Sequence, residues 1–177
     1  MKKTKEMCFA ALFTALICAG AFLKIPTPLP ITFQTFFTCL AGLLLGSKKG
    51  SLSVLLYFFL GLLGLPVFAE GGGIHYILKP SFGYIIGFLP GTFITGKIAE
   101  SGISFKKFLP ASLSGMVAIY LVGIAYYFLI SEFYLHSEIS IKWILTYGFL
   151  ITLPGDIIMC VLASTLGLRL RKIFKIQ

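Results

Sequence analysis

Apolar residues run along this chain in long stretches, each ended by a short polar or glycine- and proline-rich break. The pattern is neither the alternation of a half-buried strand nor the single stripe of a surface helix. The stretches are apolar all round and approach the roughly 20 residues an α-helix needs to cross a bilayer. Six spans follow, at about 7–23, 32–46, 51–68, 82–99, 109–130 and 142–168. The breaks differ in chemistry. Lys24 leads into Ile25-Pro26-Thr27-Pro28-Leu29-Pro30, where three prolines in five residues exclude helix interior. Ser47-Lys48-Lys49-Gly50 is a basic turn, and Glu70-Gly71-Gly72-Gly73 opens a loop that continues through Ile74-His75-Tyr76 to Pro80. The last span is interrupted at Pro154-Gly155.

Composition turns this pattern into a class. Of 177 residues 58% are hydrophobic and 12% charged, with a mean hydropathy of +0.97. Soluble domains carry about 25% charged residues, so too little polar surface remains here for a soluble fold. The expectation is one all-α integral membrane domain covering 1–177. The excess of 15 Lys+Arg over 6 Asp+Glu is a topology signal and not a nucleic-acid patch, because the basic residues sit in clusters between spans. Lys2, Lys3, Lys5, Lys48, Lys49, Lys97, Lys106, Lys107, Arg169, Arg171, Lys172 and Lys175 fall on one side; Lys24, Lys79 and Lys142 fall on the other. That asymmetry places both termini in the cytoplasm. The first segment then reads as a retained helix and not a cleaved signal. Cys8, Cys18, Cys39 and Cys160 lie in apolar segments without a CxxC pair and read as small buried hydrophobes. His75 and His136 lie in different loops, so no metal site is expected.

Asp156 changes the picture most. It is the sole charged side chain between Trp143 and Leu168, and an acid at membrane depth costs about 2.5–3.5 kcal/mol on insertion scales. Such residues face a partner or a water-filled cavity; a purely structural acid, bonded to Ser, Thr or Tyr of neighbouring helices, is the simpler alternative. Asp156 precedes Arg169 by 13 residues, roughly 20 Å of helix, which puts it in the outer half of the membrane. Gln34, Thr35, Tyr76, Lys79, Ser81 and Tyr84 fall near the same outer face and complete the candidate site. Singly they have plain readings as helix caps, belt aromatics or a solvated lysine; together with Asp156 they suggest a ligand pocket opening outward. The Pro-rich loop at 25–30 and the Gly-rich loop at 70–73 are the candidate lids.

Other classes lack their groups. No GxxxxGK[ST] occurs, so the chain is not expected to hydrolyse ATP; no HExxH and no serine elbow occurs either. An intramembrane enzyme using Asp156 as base would need a second catalytic group at matched depth. A channel would need a polar ring, and one acid supplies none without oligomerisation. Small residues pattern the helices: Gly42 and Gly46, then Gly83, Gly87 and Gly91, read as internal packing. Ala11, Ala15 and Ala19 form a smooth strip suited either to packing or to a partner.

Several blocks in order resemble one known family. They are Pro28-Leu29-Pro30-Ile31-Thr32-Phe33-Gln34-Thr35-Phe36, Leu40 to Gly46, Tyr57 to Phe68, the glycine-rich loop, Lys79-Pro80-Ser81-Phe82-Gly83-Tyr84 with Gly87-Phe88, and Leu153-Pro154-Gly155-Asp156. Across about residues 9–168 the chain resembles BioY, the biotin-specific S component of energy-coupling factor (ECF) transporters. The resemblance implies a six-helix S-component bundle in the bacterial cytoplasmic membrane that captures vitamin from outside. It implies a transmembrane coupling protein and two cytoplasmic ATPases as partners, which use ATP while this chain binds no cofactor. It also implies that Ala11 and Ala15, extended by Ala19, dock the coupling protein, and that Asp156, then Gln34 and Tyr84, contact ligand. One position departs: many family members carry lysine three residues after the acid, where this chain has Met159. Lys79 is the candidate substitute, and the departure leaves lipoate and dethiobiotin open beside biotin.

Overall fold

The computed structural model describes residues 2–25, 31–135 and 140–174; Pro26 to Pro30, His136 and Lys175 lie outside the described residues. Helix α1 is Lys2–Phe22. The two-residue strands β1 (Lys24–Ile25) and β2 (Ile31–Thr32) pair antiparallel, with Lys24 opposite Thr32. Helix α2 is Gln34–Leu62, and a 3₁₀ turn covers Ile74–Leu78. Helices α3 (Phe82–Ala99) and α4 (Phe105–Phe133) follow. The short α5 (Ile141–Leu145) passes through a π-helical turn at Thr146–Leu150 into α6 (Leu153–Phe174).

Among the described residues, five helical stretches are long and apolar enough to cross a membrane: Thr4–Phe22, Gln34–Leu62, Phe82–Ala99, Phe105–Phe133 and Ile141–Ile173. The second is not straight. Gly46 has φ 79° and ψ −179°, a conformation that glycine adopts without a Cβ penalty. Beyond it the chain folds back. The Gln34 amide reaches the Tyr57 hydroxyl at 2.6 Å, although a straight helix would hold residues so far apart by roughly 34 Å. A Cβ on Gly50 would lie 3.0 Å from the backbone of Ala41. α2 is therefore a hairpin of two limbs, and Gly46 serves its turn and not a GxxxG packing face.

The structure also moves other expected boundaries. Residues 63–68 are not helical: Gly64 takes φ 103° and Pro66 follows. This turn folds Phe68 back onto Gly61, where a Cβ would meet the ring at 2.1 Å. α4 runs past 109–130 at both ends. The interruption in the last span falls at residues 146–152; Pro154 sits in the first turn of α6, where its missing N–H is harmless. Cys39 and Cys160 are buried, but Cys8 is exposed on the outward face of α1.

Backbone proximity organises the core. Gly83, Gly87 and Gly91 of α3 lie against Gly123, Ile119 and Gly115 of α4, each so close that a Cβ would come within 2.9 Å of a facing carbonyl oxygen. The other side of the molecule is apolar: Leu150, Ile157, Ile158 and Leu162 stay exposed, and only 22% of an 18-residue apolar stretch of the last span is buried. Lipid is the natural partner for such a face. The end bearing the Gly46 turn carries Lys48, Lys49, Lys97, Lys106, Lys107 and Arg169. There the Glu100 carboxylate accepts from the Ser47 N–H at 2.9 Å and the Ser47 hydroxyl at 2.7 Å. Those two donors, backbone first, hold its pKa below the usual carboxylate value, aided by Lys97. Arg171 donates to the Ala99 carbonyl at 3.2 Å, closing α6 onto α3.

Candidate functional site

At the opposite end, the first limb of α2, α3, α4, the π turn and α6 surround an open cavity, with about 670 Å³ of empty space counted through its mouth. Its walls are largely apolar, from Ile85 and Phe88 of α3 and Met116 and Ile119 of α4. Polar groups enter from every side.

Asp156, in the first turn of α6, lines the cavity half-buried. Tyr120 of α4 donates its hydroxyl to Asp156 Oδ2 at 2.5 Å. The same hydroxyl lies 2.8 Å from Thr152 Oγ1. Thr35 of α2 faces the carboxylate from the third side. The acid thus ties three helices together and borders the cavity as well. A carboxylate has about four acceptor positions, so capacity remains for a ligand.

Gln34 opens α2 and is buried, with each end of its amide engaged: Nε2 donates to Tyr57, and Oε1 accepts from Thr32 at 3.1 Å. Tyr57 is wholly buried behind the wall and fixes which way the amide points. Tyr84 of α3 donates to the Gly148 carbonyl at 2.9 Å. Tyr76 is buried under Phe68, ring centroids 4.7 Å apart, and burial raises its phenol pKa. Ser81, just before α3, also reaches the wall.

Six of the seven candidate residues therefore line one cavity: Gln34, Thr35, Tyr76, Ser81, Tyr84 and Asp156. Lys79 does not. Its ammonium pairs with Glu70 at 3.0 Å and lies 4.9 Å from the Tyr76 ring centroid, which turns it along the rim; Met159 is also absent from the wall. Tyr120, Thr152, Gly148 and Thr32 were missed from the sequence. Thr152 was within reach, being four residues before the acid and so on its helix face. Tyr120 was not, because nothing local says which face of α4 meets α6. On α1, Ala11, Ala15 and Ala19 are all exposed, an open strip with no covering element among the described residues.

The sequence model of the BioY family matches residues 1–176. The chain belongs to the BioY family. It is 37% identical to the probable biotin transporter BioY of Lysinibacillus sphaericus over 98% of this chain and 90% of that protein. It is 38% identical to the biotin transporter BioY of Thermotoga maritima, over 96% of this chain and 97% of that one. In three dimensions it is similar to a crystal structure of the S-component for biotin from an ECF-type ABC transporter, with TM-score 0.84 and 32% identity over 97% and 93% of the two chains. This BioY family member is accordingly a multi-pass membrane protein and a transporter subunit, not an enzyme.

Proposed function

We propose that this BioY family member is the substrate-binding S component of an ECF-type importer and that its ligand is biotin. The observation that carries the reading is Asp156 beside Tyr120, presenting a carboxylate to a largely apolar cavity with a few placed polar groups. Biotin's bicyclic head is flat and largely apolar, and its ureido group carries two N–H donors and a carbonyl. Asp156 accepts from a ureido N–H, Gln34 offers its second amide hydrogen to the carbonyl, Thr35 borders the ligand while donating to Asp156, and Tyr84 and Tyr76 cover the ring. Ser81 and Lys79 lie toward the mouth, where the acid tail would leave. A few placed polar groups in an apolar pocket are the general arrangement for such ligands.

Counting the limbs of α2 separately gives six crossings with both termini on the basic end, which the positive-inside preference assigns to the cytoplasm. The cavity then opens outward. The exposed Ala11, Ala15 and Ala19 strip docks a transmembrane coupling protein, since small residues allow close helix approach in lipid. Two cytoplasmic ATPases on that protein use ATP; this chain binds no cofactor of its own. Calorimetry of the detergent-solubilised chain with biotin, dethiobiotin and lipoate, beside Asp156→Asn, tests the reading. Tight biotin binding that is lost in the variant is expected. Preference for lipoate or dethiobiotin would sink the biotin assignment, and co-purification without any coupling protein would sink the docking assignment.

A further inference from the structure

Hydrogen counting around Asp156 exposes a second acceptor. A hydroxyl has one hydrogen to donate. Tyr120 spends its hydrogen on Asp156 Oδ2, at 2.5 Å. The contact of 2.8 Å between Tyr120 and Thr152 must then use the hydrogen of Thr152. Thr152 is therefore not the donor to the carbonyls beside it, Gly148 at 3.4 Å and Phe149 at 3.1 Å. Of the two lone pairs on the Gly148 oxygen, Tyr84 occupies one at 2.9 Å, and the other is left for the cavity that Gly148 lines.

Local backbone geometry explains why a carbonyl is available there. The Ile151 N–H reaches back to the Thr146 carbonyl at 3.0 Å, five residues earlier, so the helical register slips at this turn. Single π turns of this kind recur at functional sites. Gly148 is buried and has no side chain to stand between its backbone and a ligand.

We infer that the Gly148 carbonyl is the second acceptor of the site, and that Asp156 and Gly148 flank a cyclic urea, each accepting one of its two N–H groups. The spacing permits this. The contacts of 3.4, 2.8 and 2.5 Å through Thr152 and Tyr120 cap the separation of the two acceptors at roughly 9 Å. The N–H groups of a cyclic urea diverge, and at ordinary N–H···O lengths their acceptors sit roughly 7 Å apart. A single carboxylate is too small to span them. Tyr120 and Thr152 become positioning residues: they set the distance between the acceptors and leave both free toward the ligand.

The inference rests on the biotin reading, and a ligand-side test separates the two. Two biotin analogues are used, each with one ureido N–H replaced by a ring oxygen, so that size is kept and one donor is lost. Each analogue should bind at least roughly tenfold more weakly than biotin, because an unpaired acceptor then faces an oxygen. Asp156→Asn should restore affinity for one analogue only, the one whose ring oxygen meets the new amide. Replacing Phe149 by its α-hydroxy acid makes the 148 carbonyl an ester and a poorer acceptor. That change should weaken biotin roughly tenfold and leave unchanged the analogue lacking the N–H that faces it. Tight biotin binding with either analogue undiminished would overturn the two-acceptor assignment alone, as would an ester variant that binds biotin normally. Failure of biotin itself to bind would overturn the ligand reading, and this inference with it.

Discussion

Helix α4 presents two faces with opposite uses. Toward α3 it meets three glycines, and the backbones close until no side chain fits between Gly87 and Ile119 or between Gly91 and Gly115. Toward α2 and α6 it carries Met116 and Tyr120, whose side chains hold the helices apart and leave the cavity. Small residues seal one interface and large ones prop the other open. The sealed face is judged by stability, because it has no function other than contact. The open face is judged by binding, because its polar groups are satisfied whether or not ligand is present. One helix thus serves as both wall and pillar.

Filling the seam should break the comparison most severely. Gly87→Leu puts atoms where a Cβ already lies 2.8 Å from the Ile119 carbonyl, and overpacking of this kind costs about 3 kcal/mol or more. Loss of folded, monodisperse protein by size-exclusion and thermal unfolding is the expected result; normal yield and melting would show the seam to be loose. On the open face the order reverses. Asp156→Asn should weaken biotin by roughly 100-fold, about 2.7 kcal/mol, while thermal unfolding without ligand moves little. Equal losses of stability and binding would make Asp156 a structural clasp only.

A smaller effect sharpens the picture of the wall. Tyr57→Phe removes the hydroxyl that holds Gln34 Nε2 without touching the cavity. About 1 kcal/mol of binding, roughly fivefold, should be lost, and calorimetry showing unchanged affinity would remove Gln34 from the ligand's contacts. The smallest effect lies at the far end. Glu100 has its pKa lowered first by the Ser47 N–H, so its contribution exists above the unfolded carboxylate pKa and fades as pH falls through the lower folded value. Acidification below the ordinary value of 4.5 should destabilise the parent more than Glu100→Gln; identical pH–stability curves would refute it.

Much of the fold was legible from where apolar stretches stop. The fourth span and α3 coincide because Pro80 and Ser81 precede a run that ends at the Glu100 turn. The third span was read too long, because Leu65 to Phe68 is as apolar as a helix while Gly64 and Pro66 bend it. Lys79 enters the candidate site as one of three basic residues on the outer side and inside a matching block, and its ion pair with Glu70 along the rim is invisible to that reasoning.

Periodicity, charge and one isolated acid suffice to determine a membrane bundle, to group its basic residues, and to single out Asp156, because hydration energies of apolar and charged groups act residue by residue. Which helix faces meet is decided by packing between residues far apart in the chain. That is why Tyr120 and Thr152 beside the acid, Tyr57 behind Gln34, and a backbone carbonyl at Gly148 emerged only when α2, α4 and α6 came together.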